Sequence, residues 1–441
     1  MILKSLTVEQ YRGFTSRTTI DFHPSFTVIV GENGVGKTSV LWALRVLLSH
    51  TVARLVKNSG KRKRVLFFKP GDLAKGKDHQ KDWPFLRAES TVSLEQADSP
   101  MIKCAIQKNA DSFVTSDSSD GLPREHAVNT PDLVEVVEFA YDKRFVMGKK
   151  YASLAVYYSA HRSLALERGT SKARAAGDVR AAYAKALEDR QLDLGHAALL
   201  WRKEDVLAAE GHPARANRAI EKALPAFVGE FRNLRVDGGN KPRLVVDKRG
   251  KTLNLAQLSD GERGLLAVLI DLTRRLAQAN PHLEHPARDG RAVVLIDELD
   301  LHMHPRWQRK IVSRLIETFP KCQFVTTTHS PQIISEIQPE SLLLLRQDGD
   351  RIVSERCDQA YGLDANYVLE HIMGTAPRSK RATMAIHTVE EALERGDLAV
   401  ARKRLEKLRT LLHGDDTVVV GLEATINNLE ALGVAAHKKK K

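Results

Sequence analysis

Cysteine is nearly absent, with Cys104, Cys322 and Cys357 standing far apart along 441 residues. An odd, scattered set supports neither a disulfide framework nor a cysteine-built zinc site, which suits the cytoplasm. Long apolar runs are also lacking. No stretch approaches the ~20 residues of a membrane-spanning helix. The opening MILKSLTVEQYRGF alternates apolar and polar residues where a signal peptide would carry an apolar core. The chain therefore reads as cytoplasmic, neither exported nor membrane-spanning. No period of about 20–50 residues recurs, so a repeat architecture is not expected. Acidic residues are outnumbered, 55 against 68 Lys and Arg, giving +13 at pH 7. That balance favours an acidic partner, nucleic acid foremost. Nine basic residues against three Asp fall between Lys57 and Asp82, which is either a solvated loop or a phosphate-contacting one. With 42% apolar and 28% charged residues the chain is of folded, globular type, long enough for one large domain with insertions or for two to three lobes.

What is present is punctuated strand and helix patterning. Leu3, Leu6 and Val8 mark an opening strand, Phe26–Val30 is a short apolar run stopping at Gly31, and Thr38–Leu48 reads as a helix. Residues 51 to 153 look irregular and rich in turn formers. Leu154–Ser159 is another apolar strand, and the Ala-rich stretch Ser163–Phe231 predicts two or three helices. A helix of about 25 residues is only about 38 Å long, so this is a short helical lobe and not a coiled-coil arm. Leu244–Asp247 and Thr252–Leu255 pair across an Arg249-Gly250 turn. Helix Gly261–Ala279, strand Ala292–Ile296, helix Pro305–Phe319, strand Gln323–Thr327 and strand Ser341–Leu345 follow. The alternation predicts an α/β fold on a largely parallel sheet covered on both faces. Beyond Arg378 only helices are expected. Ile386, Val389 and Leu393 share one face, as do Leu398, Ala401, Leu405, Leu408 and Leu412, with Gly396 and Gly414 as stops. The tail, His437 and four lysines, is expected to be disordered.

Gly31-Glu32-Asn33-Gly34-Val35-Gly36-Lys37-Thr38 fits the P-loop pattern in full, after an apolar strand and before a helix. Backbone N–H groups of such a turn wrap phosphates at the positive helix end, Lys37 can reach the β- and γ-phosphates, and Thr38 can ligate Mg²⁺. Asn33, Gly34, Gly36, Lys37, Thr38 and Ser39 are thus the candidate nucleotide-binding set, with ATP and Mg²⁺ as cofactors. Four apolar residues, Val293–Ile296, deliver Asp297 and Glu298 to a strand's C-terminal end, where α/β sheets bind ligands. Asp297 suits holding Mg²⁺ through water, and Glu298 suits orienting and deprotonating the attacking water. Leu258-Ser259-Asp260-Gly261-Glu262 opens a helix, with Ser259 or Asp260 as its cap. Thr327-Thr328-His329-Ser330-Pro331 closes the next strand and puts an imidazole at the same edge. Taken singly, these last two are an ordinary helix start and an ordinary histidine.

In this order the pieces resemble the ABC-type ATPase head, with Walker A, signature loop, Walker B, D-loop and switch histidine. The resemblance implies head-to-tail dimers in which Ser259, with Gly261 and Glu262, meets the nucleotide held by another copy. It also implies that Glu298 and His329 are catalytic and that Thr38 and Asp297 hold the metal. LSDGE stands where transporters carry LSGGQ, which argues for the non-transporter branch. LTVEQYRGF (6–14) looks like the first strand of RecF- and SMC-type heads, and DELDLHMHP (297–305) like the Walker B and D-loop of RecF- and OLD-type ATPases. His302 and His304 lack a third zinc ligand within sequence reach. The family's Q-loop belongs after strand 154–159, where no glutamine stands, leaving Ser159, His161 or Arg162 to do its work. QLSDGER (257–263), DELDLHMHPRWQ (297–308), FPKCQFVTTTHSPQ (319–332) and Tyr361–Asp364 before Met373-Gly374-Thr375 look like the PtuA-type ATPases of Septu and some retron anti-phage systems.

The resemblance implies the following organisation: residues 1–50, an ATPase lobe with Walker A; 51–153, an irregular basic insertion; 154–162, an ATPase strand; 163–231, a helical insertion; 232–360, an ATPase lobe with signature, Walker B, D-loop and switch histidine; 361–435, a C-terminal helical assembly or partner module; and 436–441, a basic tail. It implies an ATPase subunit of a defence complex that assembles with itself beyond a dimer and regulates a separate HNH nuclease of the PtuB kind. Nucleic acid, DNA or RNA, is a candidate partner of the basic 57–82 region; a membrane is not. No intrinsic nuclease is expected, because Asp348-Gly349-Asp350 sits in a turn and too few residues follow it for a TOPRIM domain. Two other readings stay open: a stand-alone RecF- or SMC-like repair ATPase that binds DNA across its dimer, and a nucleotide-locked scaffold that hydrolyses little.

Overall fold

The computed structural model describes residues 1–55, 65–69, 72, 74, 85–93, 101–109, 154–160, 179–211, 213–238 and 242–438. The chain divides into two compact units, Met1–Val368 and Leu369–Lys441. Among the described residues no helix is long and apolar enough to cross a membrane.

Among the described residues the first unit is built on three sheets. Its strands in chain order are β1 (Ile2–Glu9), β2 (Thr18–Asp21), β3 (Phe26–Val30), β4 (Phe85–Ser93), β5 (Met101–Asn109), β6 (Leu154–Tyr158), β7 (Phe231–Asp237), β8 (Arg243–Lys248), β9 (Lys251–Asn254), β10 (Ala292–Ile296), β11 (Gln323–Thr327), β12 (Leu342–Asp348) and β13 (Arg351–Arg356). The central sheet has the order β13-β12-β3-β11-β10-β6. It is parallel except at the β13 edge, so the expected mixed α/β sheet is what forms. The runs FTVIV, LAVYY, AVVLI and QFVTT are buried at every position. A strand covered on both faces has no polar side to show, so it reads as a continuous apolar run.

Residues 51–153, expected to be irregular, contain a correction. The helix α1 (Lys37–Leu55) runs seven residues past Leu48, and β4 and β5 complete an antiparallel sheet of order β2-β1-β4-β5. This stretch therefore supplies part of the first unit's core and is no mere insertion. Leu86, Ala88, Ser90 and Val92 are the buried side of β4, and Cys104 and Ile106 lie buried on β5. Small and hydroxyl-bearing residues fit inside but blur the apolar alternation that marks a strand. The buried Gln323 side chain ties this sheet to the central one, accepting from Leu3 N at 2.7 Å and donating to Leu3 O at 2.8 Å. The third sheet, β7-β8-β9, was foreseen in two of its strands; Phe231, taken as the end of a helix, instead begins β7. Its Arg249-Gly250 turn has φ of 50° and 77°, the two positive values of a tight hairpin.

A second correction concerns 163–231. Its described part holds a short helix (Val179–Tyr183) with α2 (Leu194–Ala209) and α3 (Arg215–Phe227), but these are knitted into the head and form no lobe of their own. Arg45 Nε of α1 donates to Leu187 O at 2.9 Å, Tyr157 N of β6 to Ala186 O at 2.8 Å, and Arg314 Nη1 to Ala226 O at 2.9 Å. The small apolar face of α3, including Ala216, Ala219, Ile220 and Ala223, is buried. A helix face of that kind packs as readily on a sheet as on a sister helix, so sequence cannot choose between them. The long helices α4 (Asp260–Ala279) and α5 (Pro305–Thr318) cover the region around β10.

The second unit packs α6 (Lys380–Glu394), α7 (Leu398–Leu412) and α8 (Thr417–Lys438) around Val389, Ala401, Leu405, Leu408, Val419 and Ile426. Ser379, Asp397 and Asp416 accept bonds from backbone N–H groups at the three helix starts. Gly396, at φ 72°, sits between the first two helices, and His413, at φ 57°, closes the second. Helix α8 continues through His437 and Lys438, where disorder was expected; residues 439–441 lie outside the described set. Leu405 and Leu408 are each 1% exposed, so these two leucines are spent on packing inside the unit, with Leu412 partly buried against them. Leu405→Ala should accordingly destabilise this unit by about 2–5 kcal/mol. Calorimetry of the intact chain should show its transition moving down; an unmoved transition would contradict the internal packing.

Candidate nucleotide site

Strands β3, β11 and β10 are neighbours and run parallel, so their C-terminal ends reach one edge. Ile29 pairs with Thr327 and Ile296 with Thr326. Hence the Gly31–Thr38 loop, the Asp297-Glu298 pair and the Thr327–Ser330 loop leave the sheet together. Gly34 and Gly36 hold φ of 87° and 90°, which glycine adopts without a Cβ clash. An added Cβ at Gly36 would also sit 3.0 Å from a Phe14 ring carbon. The Tyr11–Phe14 turn thus braces the loop from beneath. Tyr11 OH donates to Ser39 O at 2.9 Å and Arg12 Nη1 to Ser39 Oγ at 3.2 Å, which accounts for the opening YRGF motif.

Lys37 Nζ is folded onto its own loop, donating to Gly31 O at 2.8 Å and Glu32 O at 2.6 Å. Burial pulls its ammonium below the usual lysine range, while the carboxylates of Asp297 and Glu298 oppose that shift. Asp297 Oδ1 accepts from Thr327 Oγ1 at 2.6 Å and from Thr38 Oγ1 at 3.3 Å. The same Thr327 oxygen accepts from Glu298 N at 2.8 Å, fixing a residue whose φ is 48°. The Thr38 hydroxyl and Asp297 carboxylate are hard oxygen donors of the kind Mg²⁺ takes, with phosphates and waters filling its remaining positions. Among the described residues no three His, Cys, Asp or Glu side chains cluster as a dedicated metal site. The donor set therefore fits a Mg²⁺ that arrives with its phosphates. His304 has a local use, since its Nδ1 accepts from Arg306 N at 3.2 Å and caps α5.

His329 lies at the same edge, its amide donating to Asp300 Oδ1 at 3.2 Å. Burial lowers its imidazole below the usual pKa and the Lys37 charge adds to that; Asp300, Glu298 and Asp297 oppose. These influences favour the neutral imidazole, which can donate from one nitrogen. The signature loop stands apart from this group. Ser259 and Glu262 form a capping box at the start of α4, and Glu262 pairs with Lys248. Gly261 abuts the D-loop, where an added Cβ would lie 2.4 Å from His302 O. Ser259 and Asp260 are exposed. Ser159 is buried at the end of β6, while the other two Q-loop candidates, His161 and Arg162, fall outside the described residues. The basic 57–82 region is described at 65–69, 72 and 74 alone, and the lysines and arginines of 57–64 lie outside that set. Asp72 within it is 3% exposed and turned inward, accepting from Arg12 Nε at 2.9 Å and Trp42 Nε1 at 3.0 Å.

Two family models divide this site between them: "AAA ATPase domain" over residues 1–112, with the P-loop, and "AAA domain, putative AbiEii toxin, Type IV TA system" over 149–335, with Ser259, Asp297, Glu298 and His329. The "Retron Ec83 probable ATPase" of Escherichia coli is 36% identical over 194 residues, 44% of this chain and 34% of that protein. The Septu protein PtuA of Bacillus thuringiensis is 33% identical over 132 residues, 29% of this chain and 33% of that protein. Over the stretches that carry the site, the chain is similar to these ATPase domains and proteins. It spans about a third of the length of each of these two relatives. An SMC head bound to the C-winged helix domain of ScpA superposes on 81% of this chain and 99% of its own at TM-score 0.47 and 12% identity.

At this site, sequence reasoning passed over two groups that the structure brings together. Thr327 bridges Asp297 to Glu298, and Asp300 receives the switch loop. The signal for Thr327 was faint: a run of hydroxyl residues ending an otherwise apolar strand.

Proposed function

We propose that the chain is an ATP-hydrolysing head that pairs with a second copy, assembles further, and thereby regulates a separate HNH nuclease in a retron- or Septu-like defence system. The observation that carries this is the convergence of Lys37, Thr38, Asp297, Glu298 and His329 at one sheet edge, with Ser259 exposed at the start of α4. With ATP bound, Lys37 exchanges the Gly31 and Glu32 carbonyls for phosphate oxygens, and the amides of Asn33 to Ser39 cradle the anion. Mg²⁺, held by Thr38 and through water by Asp297, would offset charge on the β- and γ-oxygens. Glu298 orients a water and accepts its proton as the water's oxygen bonds to the γ-phosphorus; the bond to the β-phosphate oxygen breaks, leaving ADP and phosphate. His329 donates to a γ-oxygen. Ser259 supplies the same kind of contact to the other copy's nucleotide, so ATP bridges two heads and its binding energy bears on their association.

The retron and Septu relatives support the setting, and no intrinsic nuclease is proposed, since Asp348-Gly349-Asp350 forms the turn between β12 and β13. Purified chain should release phosphate over many turnovers and gain mass with ATP but not with ADP, as read by light scattering. An HNH nuclease encoded beside it should co-purify. A chain with the same mass in ATP, in ADP and without nucleotide, and no phosphate release above a Lys37→Ala control, would end this reading.

A further inference from the structure

The start of α4 carries two acids at the place where another copy's phosphates would dock. Asp260 and Glu262 stand in the first turn, at the helix end whose amides and dipole favour negative charge. Carboxylates there stabilise the helix, but left unmatched they repel a phosphate brought to Ser259. Each is met by one cation. Asp260 pairs with Arg263, whose Nη1 also donates to Leu258 O at 3.1 Å and Ala256 O at 3.3 Å. Glu262 Oε1 accepts from Lys248 Nζ at 2.5 Å, and its Oε2 accepts from Ser259 N at 3.3 Å.

The second pair differs from the first because its cation comes from another element. Lys248 ends β8, in the small β7-β8-β9 sheet, which the P-loop chemistry does not use. Phe231 and Lys251 are its neighbours across the ladder, and its Nζ lies 5.3 Å from the centre of the buried Phe231 ring, within cation–π range. The Lys248 and Glu262 side chains are 20% and 16% exposed, so salt screens the pair little. Burial works to raise the Glu262 carboxyl, yet the Lys248 ammonium and the Ser259 hydrogen bonds hold it below the usual glutamate range. The carboxylate is thus ionised, turned inward and matched. Ser259 Oγ accepts from Glu262 N at 3.4 Å and, among the described residues, donates to no acceptor, so its proton is available at the exposed helix start.

We propose that Lys248 is a positioning residue that neutralises the start of α4 so that Ser259 can receive the phosphates of another copy's nucleotide. The inference rests on the ATP-bridged dimer reading above. Lys248 touches no nucleotide and acts through Glu262. With its ammonium in place, Asp260 with Arg263 and Glu262 with Lys248 cancel, and the helix dipole is left to face the incoming anion. Without it, a largely buried carboxylate three residues from Ser259 has no counter-charge and opposes the phosphates. The P-loop of the same chain is spared, because Lys37, Thr38 and Asp297 stand apart from this pair. Binding of ATP by one chain and its capture by the next therefore separate.

The test uses the full chain in a Glu298→Gln background, in which ATP is held and not turned over. Lys248→Met keeps an apolar stem on Phe231 and removes the charge. It should leave binding of a fluorescent ATP analogue within about twofold but weaken ATP-driven self-association, read by light scattering, about 10- to 100-fold. Lys248→Gln keeps a donor for Glu262 without the charge; it should weaken association as far, and it serves if Lys248→Met does not fold. Adding Glu262→Gln to Lys248→Met removes the stranded charge and should restore association to within about threefold of the parent, which a merely structural tie between β8 and α4 would not do. Lys251→Met, which removes the exposed lysine opposite Lys248, should change association by less than about twofold. Full association in Lys248→Met or Lys248→Gln, no rescue by Glu262→Gln, or an equal loss in Lys251→Met would overturn the assignment. A Glu298→Gln parent that binds no ATP, or binds it and stays monomeric, would instead overturn the ATP-bridged dimer and take the assignment with it.

Discussion

Glu298→Gln should slow phosphate release by about 10²- to 10⁴-fold, the range a positioned general base contributes, while ATP affinity stays within about twofold. The substitution keeps side-chain length and hydrogen-bonding reach and removes only the basic oxygen. Its backbone is pinned by Thr327 Oγ1 at 2.8 Å, and the neighbouring Asp297 keeps its bonds to Thr327 and Thr38, so the metal-binding side of the site is undisturbed. Because phosphate contacts survive while water activation is lost, the variant should accumulate the ATP-bound assembly. Steady-state phosphate release and light scattering on the same sample separate the two effects. Release within about threefold of the parent would remove Glu298 from the general-base role and leave its adjacency to Asp297 a matter of helix and loop geometry.

The site was legible in the sequence because its parts are local. The P-loop needs a strand, a glycine turn and a helix within a dozen residues, and Asp297-Glu298 announce themselves at the end of four buried apolar residues. What sequence did not give is the wiring between elements. Thr327 meets Asp297 only because β10 and β11 pair with Ile296 opposite Thr326. Asp300 meets Thr328 and His329 across 28 and 29 residues for the same reason. A shift of one residue in that pairing would turn these side chains to the opposite face, and register between parallel strands has no short-range signature. The missed β4 and β5 have a different cause, since Ala88, Ser90 and Cys104 fill buried positions where the expected pattern calls for large apolar residues. The C-terminal leucines carry a different ambiguity. Amphipathic spacing correctly marked a buried face, but spacing cannot say whether the cover is a sister helix or another molecule, and here Leu405 and Leu408 are covered within the three-helix unit.

Lys37→Ala should abolish useful ATP binding, raising Kd by about 10²- to 10³-fold, because a buried charged contact costs several kcal/mol when one partner is truncated. The obvious objection is that the variant loses binding by unfolding, and the environment of Lys37 argues otherwise. Lys37 as a residue is 7% exposed and its pKa is depressed, burial being the main cause. A lysine whose folded pKa lies below its unfolded value costs stability at every pH where it must carry its charge, most fully below the folded pKa. Removing it relieves that cost. Against this stand the Gly31 and Glu32 carbonyls, which lose their donor but have backbone freedom in a glycine-rich loop to find water. The two effects oppose each other, so without nucleotide the variant should melt close to the wild type. Addition of ATP then decides the matter. Wild type at about 100 times Kd should gain about 2.7 kcal/mol of stability by mass action, and Lys37→Ala at the same concentration should gain nearly none. A variant that melts well below wild type without nucleotide would show that Lys37 is structural, and one that shifts equally with ATP would show that the phosphates are bound elsewhere.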